Sequence, residues 1–383
     1  MLGANPFNHD FNPADYEIFA GLDVDKHSMS VTFAAPEGLI RSIRMPAQPE
    51  PLLGYIRGHL AGKRIAFAYE AGPTGFHLHD RLTEAGYPCL VVAPSMVPTA
   101  PGQRVKTNRL DSQKLAASLR GGQLRSIHVP SPAYRSLRHL VRLRDTFVRQ
   151  IAATKCRIKA LLLLENLAFP HPSGLWSLSV LQQLSVLPCA PAIRFKLDRL
   201  LESLAFAQAQ TLQTTREIHR FCLQDPELNR CLGYLTSIPG IGVITATHLL
   251  ARIGDWRHLR NVRQLAGFLG VVASERSTGD SIRRGGITHV GDSRLRGKLV
   301  QAAWAAIRQD AELREFYQRI YHRHPRDHAS GKAVVAVVRK LTTRVYAVLK
   351  EQRPYRIHRR LTREEIRPRE RLEWPQNSER ASL

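Results

Sequence analysis

The stretch from Tyr134 to Leu164 contains neither proline nor glycine. Leu137, Leu140, Leu143, Phe147, Ile151, Ile158 and Leu162 recur along it at helical spacing, with arginine and lysine between them. Such a run is too long for a strand and too apolar for a loop. It predicts one long amphipathic helix, suited to a coiled-coil arm; the alternative is a plain helix inside one domain. Globular helices average about 11–12 residues, so an arm of this length separates an N-terminal part of the chain from a C-terminal part.

Before the arm, residues 1–16 read as a leader rich in Asn and Pro, and residues 17–130 as an α/β domain. Residues 17–35 alternate apolar and polar side chains, which predicts two strands around a turn near Asp25 to Ser28. Residues 48–61 suggest a short helix. Residues 64–70 (RIAFAYE) suggest a buried strand ending in a carboxylate, 76–86 an amphipathic helix, 88–93 another buried strand and 111–121 a further helix. This β-β-α-β-α-β rhythm implies a mixed central sheet. The long helical region covers 131–231, with a Pro- and Ser-containing linker at 168–191 and a second helical arm at 192–223. A helical domain occupies 232–350, and a charged tail 351–383.

The 383 residues suffice for two domains, perhaps three at roughly 100–200 residues each. Lys and Arg total 56 against 32 Asp and Glu, a net charge of +24 spread along the whole chain. A field of that sign and extent favours a polyanion, with nucleic acid first among the candidates. The five cysteines, Cys89, Cys156, Cys189, Cys222 and Cys231, include no C-x-x-C pair. They read as reduced core thiols rather than a zinc site or disulfide framework. No apolar run is long enough to span a membrane. The polar, acidic N-terminus is unlike a signal peptide, which predicts a cytoplasmic protein.

Three carboxylates stand at places where a metal could be held. Asp23 and Glu70 end predicted strands, and Asp111 opens a helix after the basic stretch QRVKTNRLD. Carboxylates at neighbouring strand ends can converge on one sheet edge and offer hard oxygens to Mg²⁺. The bland alternatives are that Asp23 and Asp25 cap a β-turn and that Asp111 is a helix cap. In the second half, residues 235–250 (LTSIPGIGVITATHLL) suit a helix-hairpin-helix turn. There the backbone N–H groups of Gly240 and Gly242 contact a phosphate, or the turn simply joins two helices. Residues 273–296 alternate small and hydroxyl side chains with Arg and Gly. Ser277, Thr278 and Gly279 are at the tip, with Arg283, Arg284, Arg294 and Arg296 close by. A serine there can attack a phosphodiester while arginines stabilise the developing charge, or the segment only binds phosphate.

The segments GLDVDKH, AYEAGPTGF and RVKTNRLDSQKLA resemble three signature blocks of the insertion-sequence 110 family, which includes Piv-like DNA invertases and bridge-RNA-guided recombinases. The block around Ser277, with LAGFLG before it and LVQAAW after it, resembles the family's C-terminal domain. The likeness covers roughly residues 17–350. It implies an RNase H-like (RuvC-like) α/β N-terminal domain joined by long helices to an all-α C-terminal domain. It also implies an Asp-Glu-Asp-Asp tetrad, onto which Asp23, Glu70 and Asp111 map as the first, second and fourth members. The third position is Asn108, which brings a carbonyl oxygen but no charge. The family's nucleophile is a serine that falls on Ser277 or on the neighbouring Thr278; Ser277 is the serine of the pair. His289 stands where the family usually has lysine. The resemblance further implies Mg²⁺, DNA donor and target sites, a structured guide RNA, a homo-oligomer (dimer or tetramer), and half-sites completed between protomers. Lys106 and Arg109 join the basic residues expected to bind nucleic acid. Two rivals stay open: a Holliday-junction-type two-metal nuclease that needs no serine, and an inactive nucleic-acid-binding transposase relic broken at Asn108.

Overall fold

The computed structural model describes residues 11–98, 107–278, 281–288 and 291–357. The chain divides into two compact units, residues 1–129 and 130–383. Lys106, Gly279 and His289, most of the leader and residues 358–383 lie outside the described residues.

The first unit is built on five strands: β1 (Ile18–Val24), β2 (Ser28–Ala35), β3 (Gly38–Pro46), β4 (Ile65–Glu70) and β5 (Cys89–Val92). Their order across the sheet is β3-β2-β1-β4-β5, with β1 antiparallel to β2 and parallel to β4. The helices are α1 (Pro49–His59), α2 (His77–Glu84) and α3 (Asn108–Arg120). Alternation along the central strands gives the sheet two buried faces. Leu22, Phe67 and Tyr69 join Leu52, Ile56 and Leu82 of α1 and α2 on one face. Phe19, Ala66 and Ala68 join Leu115 and Leu119 of α3 on the other. Helix α3 comes so close to β1 that a Cβ on Gly21 would lie 2.2 Å from the Ser112 carbonyl oxygen and 2.4 Å from the Ala116 nitrogen. Only glycine permits that approach. Buried hydroxyls pin the same helix to β2, with Thr32 Oγ1 2.8 Å from Ser112 Oγ and 2.9 Å from Ser42 Oγ.

The third strand, β3, is not among the elements expected from the sequence. It is an edge strand in which no residue is fully buried, so it lacks the apolar alternation of a half-buried strand. Helix α3 also begins three residues before the predicted start. Thr107 caps it by accepting the Leu110 N–H, which leaves Asp111 one turn inside rather than at the cap.

The second unit holds the predicted long helix as α4 (Pro132–Leu164) and a second long helix, α6 (Pro191–Gln224). At 1.5 Å per residue, α4 extends ~50 Å. The two run antiparallel. Leu137 and Val141 share a core with Ile218 and Cys222, Arg144 donates to Thr215, and Ile158 packs with Leu197 and Leu204. The predicted linker between them contains a short helix, α5 (Leu178–Ser185). Helices α7 (Pro226–Thr236), α8 (Val243–Ile253), α9 (Val262–Leu269), α10 (Ser293–Gln309), α11 (Ala311–Tyr321) and α12 (Arg326–Glu351) complete the unit. The expected all-α domain needs one correction. It contains an antiparallel strand pair, β6 (Ala273–Thr278) and β7 (Ser281–Ile287). The cysteine reading needs another: Cys89, Cys222 and Cys231 are buried free thiols, but Cys156 is exposed and Cys189 half-buried.

A polar cluster lies inside the second unit. His248 Nε2 of α8 is 3.0 Å from Asp145 Oδ1 of α4, and Lys298 Nζ of α10 is 3.4 Å from the same oxygen. Burial disfavours the Asp145 carboxylate, but His248 and then Lys298 outweigh it and hold the group below its ordinary range. A lowered folded-state value contributes stability that is present above the unfolded value, near 3.9, and is lost as pH falls through the folded one. The wild type should therefore resist urea less as pH drops below about 4, and Asp145→Asn should flatten that dependence. At neutral pH, Asp145→Ala should cost about 3–5 kcal/mol, because it strands Lys298 without its counter-ion.

Candidate active site

Asp23 and Glu70 reach the same side of the sheet for a simple reason. In the parallel pair of β1 and β4, Gly21 is partnered with Ala68 and Leu22 with Tyr69, so the next step brings Asp23 alongside Glu70. Both strands run in the same direction, and both acids stand at their C-terminal ends. By alternation they share the face of Phe19, Ala66 and Ala68, the face covered by α3. On α3, Asn108, Asp111, Ser112 and Leu115 form one helical stripe, and Ser112 and Leu115 meet β1 at Gly21. The first turn of the helix therefore overhangs the strand ends.

The result is a cleft of about 200 Å³ lined by Asp23, Val24, Asp25, Glu70, Asn108 and Asp111. All four residues expected from the sequence to ligate a metal line it. Asp25, a turn residue on sequence grounds, does fill that role by accepting the Lys26 N–H at 2.7 Å, yet it also borders the cleft. Among the described residues, no three His, Cys, Asp or Glu side chains are gathered tightly enough to hold an ion by themselves. The donors nevertheless suit a hard divalent cation, since each offers oxygen and none is soft. Mg²⁺ in particular is commonly held by one or two carboxylates, several waters and substrate phosphates rather than by a closed protein cage. Arg109, on the first turn of α3, is exposed.

In the second unit, Ser277 and Thr278 are the last two residues of β6, paired with Ile282 and Ser281 of β7. The backbone of Arg276 pairs with Arg283 and that of Glu275 with Arg284. Arg283 is exposed. A segment with the composition of an irregular loop is therefore held by a ladder, and the Ser274 hydroxyl ties it further by donating to the Gly286 carbonyl. Beyond it, Asp292 caps α10 by accepting the N–H groups of Arg294 and Leu295. This sets Arg294, exposed, and Arg296, half-buried, on its first turn. The turn between α7 and α8 borders a cavity of about 600 Å³ with Ala305, Gln309 and Ile357. Gly240 in that turn has φ +83°, and a Cβ there would lie 2.1 Å from the Ala302 carbonyl oxygen. Its glycine identity thus reflects packing against α10. Gly242 is exposed at the N-terminus of α8, with open space around it.

Carboxylates on adjoining ends of parallel strands, in a chain of +24 charge, mark an enzyme that works on nucleic acid. Two family models agree. One, described as transposase and named for the DEDD type of IS110 elements, matches residues 20–166. The other, described as Transposase IS116/IS110/IS902 family, matches residues 232–318. The chain is 33% identical to transposase y4qE of Sinorhizobium fredii over 298 residues, 76% of this chain and 72% of that one. It is 26% identical to a family 20 transposase of Pseudomonas aeruginosa, over 76% of this chain and 85% of the relative. Over 136 residues, 35% of this chain and 42% of the relative, it is 32% identical to the pilin gene-inverting protein of Moraxella bovis. The chain belongs to the IS116/IS110/IS902 family of transposases, and it is accordingly a DNA transposase. Among the described residues, no helix is long and apolar enough to cross a membrane.

Proposed function

We propose that this transposase is a site-specific recombinase of a mobile element that cuts and exchanges DNA strands through a phosphoserine link formed by Ser277. The observation that carries the reading is the gathering of Asp23, Glu70, Asn108 and Asp111 on one cleft. The strand order β3-β2-β1-β4-β5, with a helix overhanging β1 and β4, supports an RNase H-like, RuvC-like domain. Asp23, Glu70 and Asp111 would hold Mg²⁺, with Asn108 adding a neutral carbonyl oxygen. A divalent cation bound there supplies positive charge to phosphodiester oxygens. Ser277 attacks phosphorus, the ester oxygen leaves with a proton, and the phosphoserine conserves the bond energy for rejoining. Arg283 and Arg284 follow Ser277 closely in the sequence, and their charge would favour the charge that develops on the phosphate.

The partners on this reading are DNA donor and target sites, a structured guide RNA and further copies of the chain. The high positive charge spread over both units supports the nucleic-acid partners.

The test is to incubate the full chain with DNA carrying its element's ends and Mg²⁺, then denature and look for a covalent protein–DNA adduct. An adduct that maps to the peptide holding Ser277 is expected. Metal-dependent cleavage without an adduct would select a two-metal nuclease, and binding without cleavage a relic broken at Asn108.

A further inference from the structure

Two arginines of the second unit are each balanced by two carboxylates. Arg257 meets Glu227 at 2.6 Å and Asp255 at 3.0 Å, and Arg344 meets Asp310 at 2.7 Å and Glu312 at 3.1 Å. Other arginines of the unit gather beside one another instead. Arg135, Arg138 and Arg142 fall at i, i+3 and i+7 on α4, along one stripe of the helix. Arg138 Nε donates to the Ala251 carbonyl at the end of α8, at 2.9 Å, which brings Arg252 of α8 beside the stripe. The Arg252 guanidinium lies over the Phe268 ring, 4.7 Å from its centroid, and its Nε is buried without a hydrogen-bond partner.

Among the described residues, none of Arg138, Arg142 and Arg252 has a carboxylate ion partner. Asp145, one turn further along α4, is engaged by His248 and Lys298 instead. Burial and the three neighbouring arginines pull the Arg138 guanidinium down to about 10. Like charges gathered in a partly enclosed place destabilise the fold unless an anion from outside offsets them. The required anion must present several charges in a row. From Arg135 to Arg142 the helix rises ~10 Å, about three base-pair steps of a duplex. A guanidinium that stacks on an aromatic ring while its N–H groups stay unmatched by carboxylate is well suited to phosphate.

We propose that Arg135, Arg138, Arg142 and Arg252 form a docking site for the phosphodiester backbone of a nucleic-acid duplex, at the junction of α4 and α8. The site rests on the chain's reading as a nucleic-acid enzyme but on neither the serine nor the metal. It would position the duplex without reading its sequence.

The test uses the full chain and two blunt duplexes of one sequence, one DNA and one RNA. Affinity is measured against salt for wild type, for Arg135→Gln/Arg142→Gln, and for Arg199→Gln on α6 as a control. Arg199 is exposed and already paired with Glu202. Each phosphate contact contributes about 0.9 to the log–log slope on DNA, so the double variant should lose about 1.8 while the control loses nothing. Arg142→Lys should keep the slope. A loss with DNA alone identifies the DNA backbone as the ligand, and a loss with RNA alone the RNA backbone. Wild-type slopes in the double variant for both duplexes would overturn the site, as would an equal loss in the control. If the wild type itself showed no salt dependence, the nucleic-acid reading would fall, and the site with it.

Discussion

Asp23→Ala is expected to lower DNA strand cleavage by about 10³-fold or more while leaving the fold intact. Electrostatic stabilisation of the reacting phosphate by a divalent cation is worth several kcal/mol, and each 1.36 kcal/mol is tenfold in rate. Asp23 stands at the end of β1, alongside Glu70, beneath the first turn of α3. Removing it deletes one of three charged donors and leaves the strand pairing untouched. A purely structural role makes a different forecast, because the loss would then appear as a lower melting temperature. Thermal unfolding with and without Mg²⁺ separates the two. A ligand that binds only the folded state raises the midpoint, so wild type should gain from Mg²⁺ and Asp23→Ala should gain much less. Asn108→Asp is the converse experiment: one more charge at the cleft should enlarge the Mg²⁺-dependent gain. Cleavage by Asp23→Ala at the wild-type rate would remove the cleft from the chemistry.

Much of this site is legible in the sequence because its parts obey short-range rules. The buried runs ending in Asp23 and Glu70 show their strands through alternation and apolar content, and the long arms show their helices through spacing. The convergence itself depends on the parallel register of β1 against β4, which no local pattern states. Gly21 illustrates the gap. It looks like any strand glycine, yet its missing Cβ lets α3 descend onto the sheet and brings Asn108 and Asp111 over the strand ends. Strand β3 is hidden because an exposed edge has little apolar alternation, and the β6–β7 pair because its serine-, arginine- and glycine-rich sequence has the composition of a loop. The Asp145–His248 contact joins residues 103 apart, a separation at which sequence gives no pairing signal without the fold. Gly240 reads in the sequence either as a phosphate contact or as part of a plain helix–helix turn, and neither reading shows that its backbone passes α10 at a distance only glycine allows.

Ser277→Ala is expected to abolish strand exchange and the covalent adduct, with DNA affinity nearly unchanged. One hydroxyl adds little to an interface dominated by many phosphate contacts. A nucleophile cannot be replaced by neighbours, because the bond to phosphorus must form at that oxygen. The β6–β7 ladder sharpens the forecast. Ser277 pairs through its backbone with Ile282 and Thr278 with Ser281, so alanine at either position keeps the pairing and tests the side chain alone. Thr278→Ala should therefore be mild. Asp23→Ala and Ser277→Ala combined should be hardly worse than either alone, since groups that act in one step fail together. Arg283→Gln should reduce the rate and retain the adduct, because it assists charge and makes no bond. Loss of the adduct in Thr278→Ala but not in Ser277→Ala would move the nucleophile by one residue. Wild-type exchange in both would leave the strand pair as a phosphate-binding element and give the cleavage step to water at the carboxylate cleft.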